Sequence, residues 1–157
     1  MHLTSTGRGV TPLDITILAG LARGHPHQRI GCDLHLTEQE FGRRIRLLFV
    51  RLGARSGAHA VALAYRSGWM GGLRREARPA VVLSDRQRAL LGCLAEGRAV
   101  AASASVVGLA PKSLGPLLYE LRTRLGARTD AHAVALAVQH GYLGGPVGSS
   151  SAGSTAR

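Results

Sequence analysis

Two stretches decide how this chain is read. Arg51-Leu52-Gly53-Ala54-Arg55 returns as Arg124-Leu125-Gly126-Ala127-Arg128, and Ala58-His59-Ala60-Val61-Ala62-Leu63-Ala64 returns as Ala131-His132-Ala133-Val134-Ala135-Leu136-Ala137. Both return at a spacing of 73 residues. Repetition at one fixed spacing marks a duplicated structural unit. Carried back without a gap, the spacing aligns Leu21 with Leu94, Gly24 with Gly97, Leu36 with Leu109 and Gly42 with Gly115. Residues 10–70 set against 83–143 give 20 identities in 61 positions, most of them in the last third. The chain is therefore read as two units, 10–70 and 83–143, joined by a linker 71–82 that holds Gly71, Gly72, Arg74, Arg75 and Pro79. The Gly/Ser-rich tail 144–157 is expected to be disordered.

Each unit reads as four short helices. In the first, Pro12 fits the opening turn of a helix behind Thr11, with Leu13, Ile17, Leu18 and Leu21 at helical spacing and Gly24 as the stop. A second helix is expected over about 27–34. Thr37-Glu38-Gln39-Glu40 has the form of a capping box, in which a hydroxyl and a carboxylate close the first turn reciprocally. The helix it opens carries Phe41, Ile45, Leu48 and Leu52 on its inner face and ends at Gly53. A fourth helix, about 56–67, is rich in Ala and Val. The second unit repeats the plan, with Ser84 as cap, then Leu90, Leu91 and Leu94, then Leu114, Leu118, Leu121 and Leu125. No alternating strand pattern competes, so the fold class is all-α. With a core this small, the two units are expected to stabilise one another by packing.

Lys and Arg number 20 against 9 Asp and Glu, a formal net charge of +11, with 19 of the 20 cations Arg. A pI near 11.4 makes nucleic acid the first partner to consider. No apolar run reaches the roughly 20 residues that span a bilayer, and the first residues lack a signal-peptide pattern, so a cytoplasmic protein without a membrane partner is expected. Cys32 and Cys93 form no CxxC pair and are read as reduced core thiols. Histidines 25, 27 and 35 near Cys32 lack the spacing of a zinc site. No phosphate-binding GxxxxGK[ST] loop and no GxSxG elbow is present. No metal, no cofactor and no catalysis are expected.

A capped amphipathic first helix ending at Gly, a short second helix, a third helix ending in Arg-Leu-Gly and an Ala-Val-rich last helix form a pattern that resembles the LuxR-type (GerE-like) helix-turn-helix DNA-binding domain of bacterial transcription regulators. The resemblance covers both units and is strongest at 51–63 and 124–136. It implies two tandem four-helix LuxR-type units, with the third helix of each in the major groove and the fourth mediating dimerisation. Base-reading positions then fall on Gly42, Arg43 and Arg46, and on Gly115, Pro116 and Tyr119. Phosphate contacts fall near Thr37, Gln39 and Arg51, and near Lys112, Ser113 and Arg124. Arg44 and Arg122 complete the basic set on the third helices. Domains of this type commonly follow a sensor, and here about nine residues precede the first unit, so control is expected from abundance or a partner protein.

The two units differ where they would read DNA. The first presents Arg43, Arg44, Arg46 and Arg51. The second has Pro116, which costs on the order of 3 kcal/mol inside a helix, so its helix should start late or bend. Leu117 and Tyr119 stand there in place of arginines, either on an outward surface suited to docking or dimerisation or filling core space in a shifted helix. On the fourth helices, His59, Val61 and Leu63 and their counterparts His132, Val134 and Leu136 are the candidate dimer contacts. A linker of about 12 residues reaches up to roughly 40 Å, enough to close that contact within one chain as a pseudo-two-fold pair, and a homodimer uses the same surfaces. His59 and His132 also read as surface positions. The expected function is DNA-binding transcription regulation on double-stranded DNA. The alternatives are a module that binds RNA polymerase, a sigma factor or another regulator, and a non-specific architectural DNA-binding protein.

Overall fold

The computed structural model describes residues 9–143, and the tail 144–157 lies outside them. The described residues are all-helical, with α1 Pro12–Ala22, α2 His27–Asp33, α3 Glu38–Leu52, α4 Gly57–Arg66, α5 Asp85–Glu96, α6 Val100–Val107, a 3-10 turn Pro111–Ser113, α7 Leu114–Leu125 and α8 Asp130–Gln139. Shifted by 73 residues, the boundaries of the first four helices fall on those of the last four to within one residue, except at the start of α7. None of these helices is by itself long and apolar enough to cross a membrane.

Local chemistry accounts for most boundaries. Thr11, Thr37 and Ser84 each accept a bond from the third backbone N–H of their helix, and Asp14, Glu40 and Gln87 reach back to the cap in a full capping box. Gly53, Gly97, Gly108 and Gly126 close α3, α5, α6 and α7. The start of α7 is the exception, with a visible cause. Thr37 has become Ala110, which supplies no side-chain cap, and the first turn tightens into the 3-10 segment. Pro116 thereby lands in the first turn of α7, where an intrahelical donor is not required. Of the two outcomes expected, the late start is the one adopted.

The core is not two separate halves. α4 lies along α8 at the centre, α4 also packs on α5, and α8 packs reciprocally on α1. The seven residues from Ala131 to Ala137 are all buried, as expected of a helix surrounded on every side. Ala131, Val134 and Ala135 join the cluster built on Ile17, Leu18, Leu48 and Val61. Ala133, Leu136 and Ala137 face the other cluster, built on Leu90, Leu91, Leu121 and Leu125. Val61 and Val134 have no exposed surface, and Leu63 is half-buried against the first cluster. The short side chains of α4 and α8 let the two backbones approach closely, which places the bulky residues of both halves around them.

The linker is extended and tied down. Its Glu76 N–H donates to Gln139 Oε1 at 2.9 Å, its Val81 N–H donates to the Tyr142 hydroxyl at 2.9 Å, and Gln139 donates on to the Tyr65 hydroxyl at 2.8 Å. Of the two cysteines, Cys93 is buried as expected and Cys32 is exposed. Cys32 sits on the solvent side of the seven-residue α2, whose inner face is supplied by Ile30 and Gly31.

Candidate nucleic-acid interface

α3 is the longest helix, and its two sides have different tasks. Phe41, Ile45, Leu48 and Leu52 are buried at spacings of 4, 3 and 4. Gln39, Arg43, Arg46, Leu47 and Val50 are exposed on the opposite side. Eleven residues separate Gln39 from Val50, about 16 Å of helix. A helix of roughly 10–12 Å diameter matches a major groove about 12 Å wide. Arg43 and Arg46 share this face and make no hydrogen bond or ion pair among the described residues. The Arg46 guanidinium extends back over Gly42, where an added Cβ would sit 4.0 Å from Nη1. Leu47 and Val50 are 51% and 79% exposed, apolar groups of the kind that meet thymine methyls.

At the start of α3, Thr37 Oγ1 accepts from the Glu40 N–H at 3.2 Å, and the Glu40 carboxylate accepts from the Thr37 N–H at 2.8 Å. That hydrogen bonding from Thr37 holds the Glu40 carboxyl below its ordinary range. The Thr37 hydroxyl keeps its own proton to donate outward. Two carboxylates, Glu38 and Glu40, flank it.

Arg44 and Arg51 are placed elsewhere than the basic face assigned to them. Arg44 turns back to α1, where its Nη2 donates to Thr11 Oγ1 at 3.1 Å and its Nε lies 3.3 Å from Asp14 Oδ1 without hydrogen-bond geometry. Arg51 Nη1 lies 3.8 Å from Asp14 Oδ2 and donates to the Gly9 carbonyl at 3.4 Å. Asp14 is only 1% exposed. Both arginines therefore serve as counter-charges to a buried carboxylate. The sequence signal was available: Arg44 is three residues from Phe41 and four from Leu48, on the flank of the buried stripe rather than opposite it.

The same observation decides between the two readings of Leu117 on α7. Leu117 is the counterpart of Arg44, and Gln87, 2% exposed, is the counterpart of Asp14. Where the buried acid is replaced by a neutral capping residue, the arginine is replaced by leucine. Leu117 packs half-buried on the second cluster and is not an outward docking residue. Tyr119 is outward, 67% exposed. Lys112 is exposed on the 3-10 turn and Ser113 is half-buried beside it. Arg122 Nη1 is bound to Asp130 Oδ1 at 2.7 Å, and Arg124 Nη1 donates to the Val82 carbonyl at 2.7 Å, as Arg51 does to Gly9. Of ten residues assigned to DNA, Thr37, Gln39, Arg43, Arg46 and Lys112 face solvent, and Ser113 is half-buried. Arg44, Arg51, Arg122 and Arg124 bind the protein itself.

The fourth-helix residues meet inside the chain. His132 is 2% exposed and not a surface group. Its Nδ1 accepts from the Arg128 N–H at 3.1 Å, which leaves the ring proton on Nε2, and Nε2 donates to Glu76 at 3.0 Å. Burial lowers its pKa, against the opposing pull of Glu76. His59 repeats the first contact, accepting from the Arg55 N–H at 3.1 Å, and its pKa is also lowered by burial and then by Arg55. His132 lies against Gly24 and His59 against Gly97, each across the junction of the two halves. No group of three or more metal-ligating side chains occurs among the described residues. Compared with known protein families, with characterised proteins and with solved structures, the chain gives no match.

Proposed function

We propose that this chain is a DNA-binding transcription regulator of bacterial type, acting in the cytoplasm as a binding protein rather than an enzyme. In this reading α1–α4 and α5–α8 are two tandem LuxR-type helix-turn-helix units joined by the linker 71–82 and packed as a pseudo-two-fold pair through α4 and α8. α3 enters the major groove. Arg43 and Arg46 read base edges, and Thr37 and Gln39 meet phosphates. The second unit contributes the internal dimer contact. Lys112 gives it at most a phosphate contact, because Pro116 and Tyr119 stand where the base-reading groups would be.

The observation that carries this reading is the pair Arg43 and Arg46, exposed, three residues apart and free of hydrogen bonds and close ion pairs among the described residues, with Arg43 acting on Glu40 only through space, on the outer face of a capped fifteen-residue helix. Elsewhere on the third helices arginines are drawn into protein contacts. The net charge of +11 supports the same partner. Fluorescence anisotropy with genomic upstream fragments and random duplex, across a salt series, tests it. A preferred fragment should bind at least about a thousandfold tighter than random DNA. Arg43→Ala and Arg46→Ala should each cost about 1–3 kcal/mol of that preference. Equal, steeply salt-dependent affinity for every duplex would instead indicate an architectural DNA-binding protein.

Tyr119 favours a second reading. An aromatic ring 67% exposed on α7 suits docking to a protein such as RNA polymerase, a sigma factor or another regulator. Absence of DNA binding at physiological salt, with loss of a partner contact on Tyr119→Ala, would select it.

A further inference from the structure

At the junction of the two halves, the linker forms one wall of an open cleft of about 410 Å³, inside the range of roughly 300–1,000 Å³ that holds small ligands. Its walls carry Arg23, Arg74, Arg75, Arg78 and Arg128 against a single carboxylate, Glu76. Arg78 is bonded to Glu76 at 3.0 Å, and Arg75 meets His140 Nδ1 at 3.2 Å. The side chains of Arg23, Arg74 and Arg128 have no hydrogen bond or ion pair among the described residues. Glu76 is itself engaged by His132. The pKa of His25, on the same wall, is lowered by burial and then by Arg29 and Arg23.

The opposite end of the junction shows what the linker adds. There the counterparts of Arg23, His25, Arg128 and His132 are Glu96, Arg98, Arg55 and His59. Arg98 is closed on Glu96 at 2.6 Å. One end of a near-duplicate junction thus pairs one arginine with its own acid and keeps a single further guanidinium, Arg55, while the other gathers guanidinium groups from α1, the α7–α8 turn and the linker around one cavity. Guanidinium forks bind phosphate oxygens in bidentate fashion.

We propose that this cleft is a binding site for a compact polyphosphate anion, the triphosphate chain of a nucleotide or free tripolyphosphate, held by Arg23, Arg74 and Arg128. It is separate from the α3 face. Asp14, where Arg44 and Arg51 dock, and Arg23 are nine residues apart along α1 and its cap, about 13 Å of helix. The proposal does not rest on DNA binding.

Isothermal titration calorimetry of the full chain with sodium tripolyphosphate near physiological salt tests it. One site per chain is expected. Arg23→Ala/Arg128→Ala should weaken it at least about tenfold, and Arg43→Ala/Arg46→Ala should change it by less than about twofold. Both variants remove two positive charges, so equal weakening would reduce the effect to net charge and overturn the proposal, as would a lack of saturable binding. Arg128→Lys keeps the charge and loses the fork. It should weaken binding several-fold, about threefold or more, and it serves if the double variant fails to fold. ATP titrated in parallel distinguishes the source: tighter binding than tripolyphosphate assigns a nucleotide, and equal binding assigns the phosphate chain alone. Displacement of tripolyphosphate by a random duplex, with matching loss of duplex affinity in Arg23→Ala/Arg128→Ala, would make the cleft part of a DNA track and overturn the assignment.

Discussion

Replacing Gly97 by alanine should be far more damaging than the same change at Gly53, although both close a helix in the same left-handed conformation. Their φ values are +68° and +67°. A Cβ in that conformation costs about 1–2 kcal/mol wherever it occurs. At Gly53 nothing lies within 4 Å of the added atom, so this is the whole expected cost. At Gly97 the Cβ would fall 2.8 Å from Cγ of His59, the root of the ring and not its flexible end. Forcing such an overlap costs a further 1–3 kcal/mol or so, for a total of about 2–5 kcal/mol. Urea unfolding followed by far-UV circular dichroism reads both variants. His59→Ala combined with Gly97→Ala should cost less than the sum of the two single changes by about 1–2 kcal/mol, because the ring that clashes is gone. Equal destabilisation at Gly97 and Gly53 would refute the argument, since it would mean that His59 is not seated against Gly97 and that the junction is open in solution.

Asp14→Asn removes the buried charge that holds Arg44 and Arg51, and should cost about 2 kcal/mol, discounted because both arginines are partly solvated. Asp14→Gln with Arg44→Leu recreates the Gln87–Leu117 pair of the second half and should cost less than its two parts summed in the same urea titration. His132, His59 and His25 all have pKa values below the ordinary histidine value of about 6.5. The unfolded chain therefore takes up protons first as pH falls. Their stabilising contribution is complete above about 6.5 and is lost as pH drops toward and through the folded values. Thermal melts should show a falling midpoint from pH 7.5 to 5.5, and His132→Gln should flatten the slope; an unchanged slope would count against the buried neutral ring. His35, at φ +57°, stands where the second half has Gly108 at +72°. His35→Gly should stabilise by about 0.5–1 kcal/mol, measurable as a raised urea midpoint.

The helices were legible because their determinants are local. Thr11, Thr37 and Ser84 with acids or amides three residues on, and glycines at the ends, announce boundaries without reference to the rest of the chain. The duplication was legible from identity alone. What was not legible is where a charge goes when the halves fold together. Arg43, Arg44 and Arg46 look alike in a list of basic residues, and only a difference of one or two residues in helical phase puts Arg44 beside Asp14. Asp14 does not stand out in the sequence because a capping-box carboxylate is ordinarily exposed, and this one is covered by side chains thirty or more residues away, Arg44 and Arg51 among them. His132 looked like a surface residue because its burial comes from Gly24, Glu76 and the opposite half, none of which is a neighbour in sequence. The basic cleft was invisible for the same reason: its arginines come from three separate stretches.

The use of α4 and α8 on one another inside a single chain has a consequence for dose. A regulator assembled from separate subunits must first find its partner, so its occupancy of a target rises with a power of its concentration and collapses on dilution. Here the partner arrives on the same polypeptide, already seated, and residues 131–137 of α8 are already covered on every side. If the DNA reading holds, occupancy should follow a simple hyperbola down to the lowest protein levels. Graded expression would then give a graded response rather than a threshold.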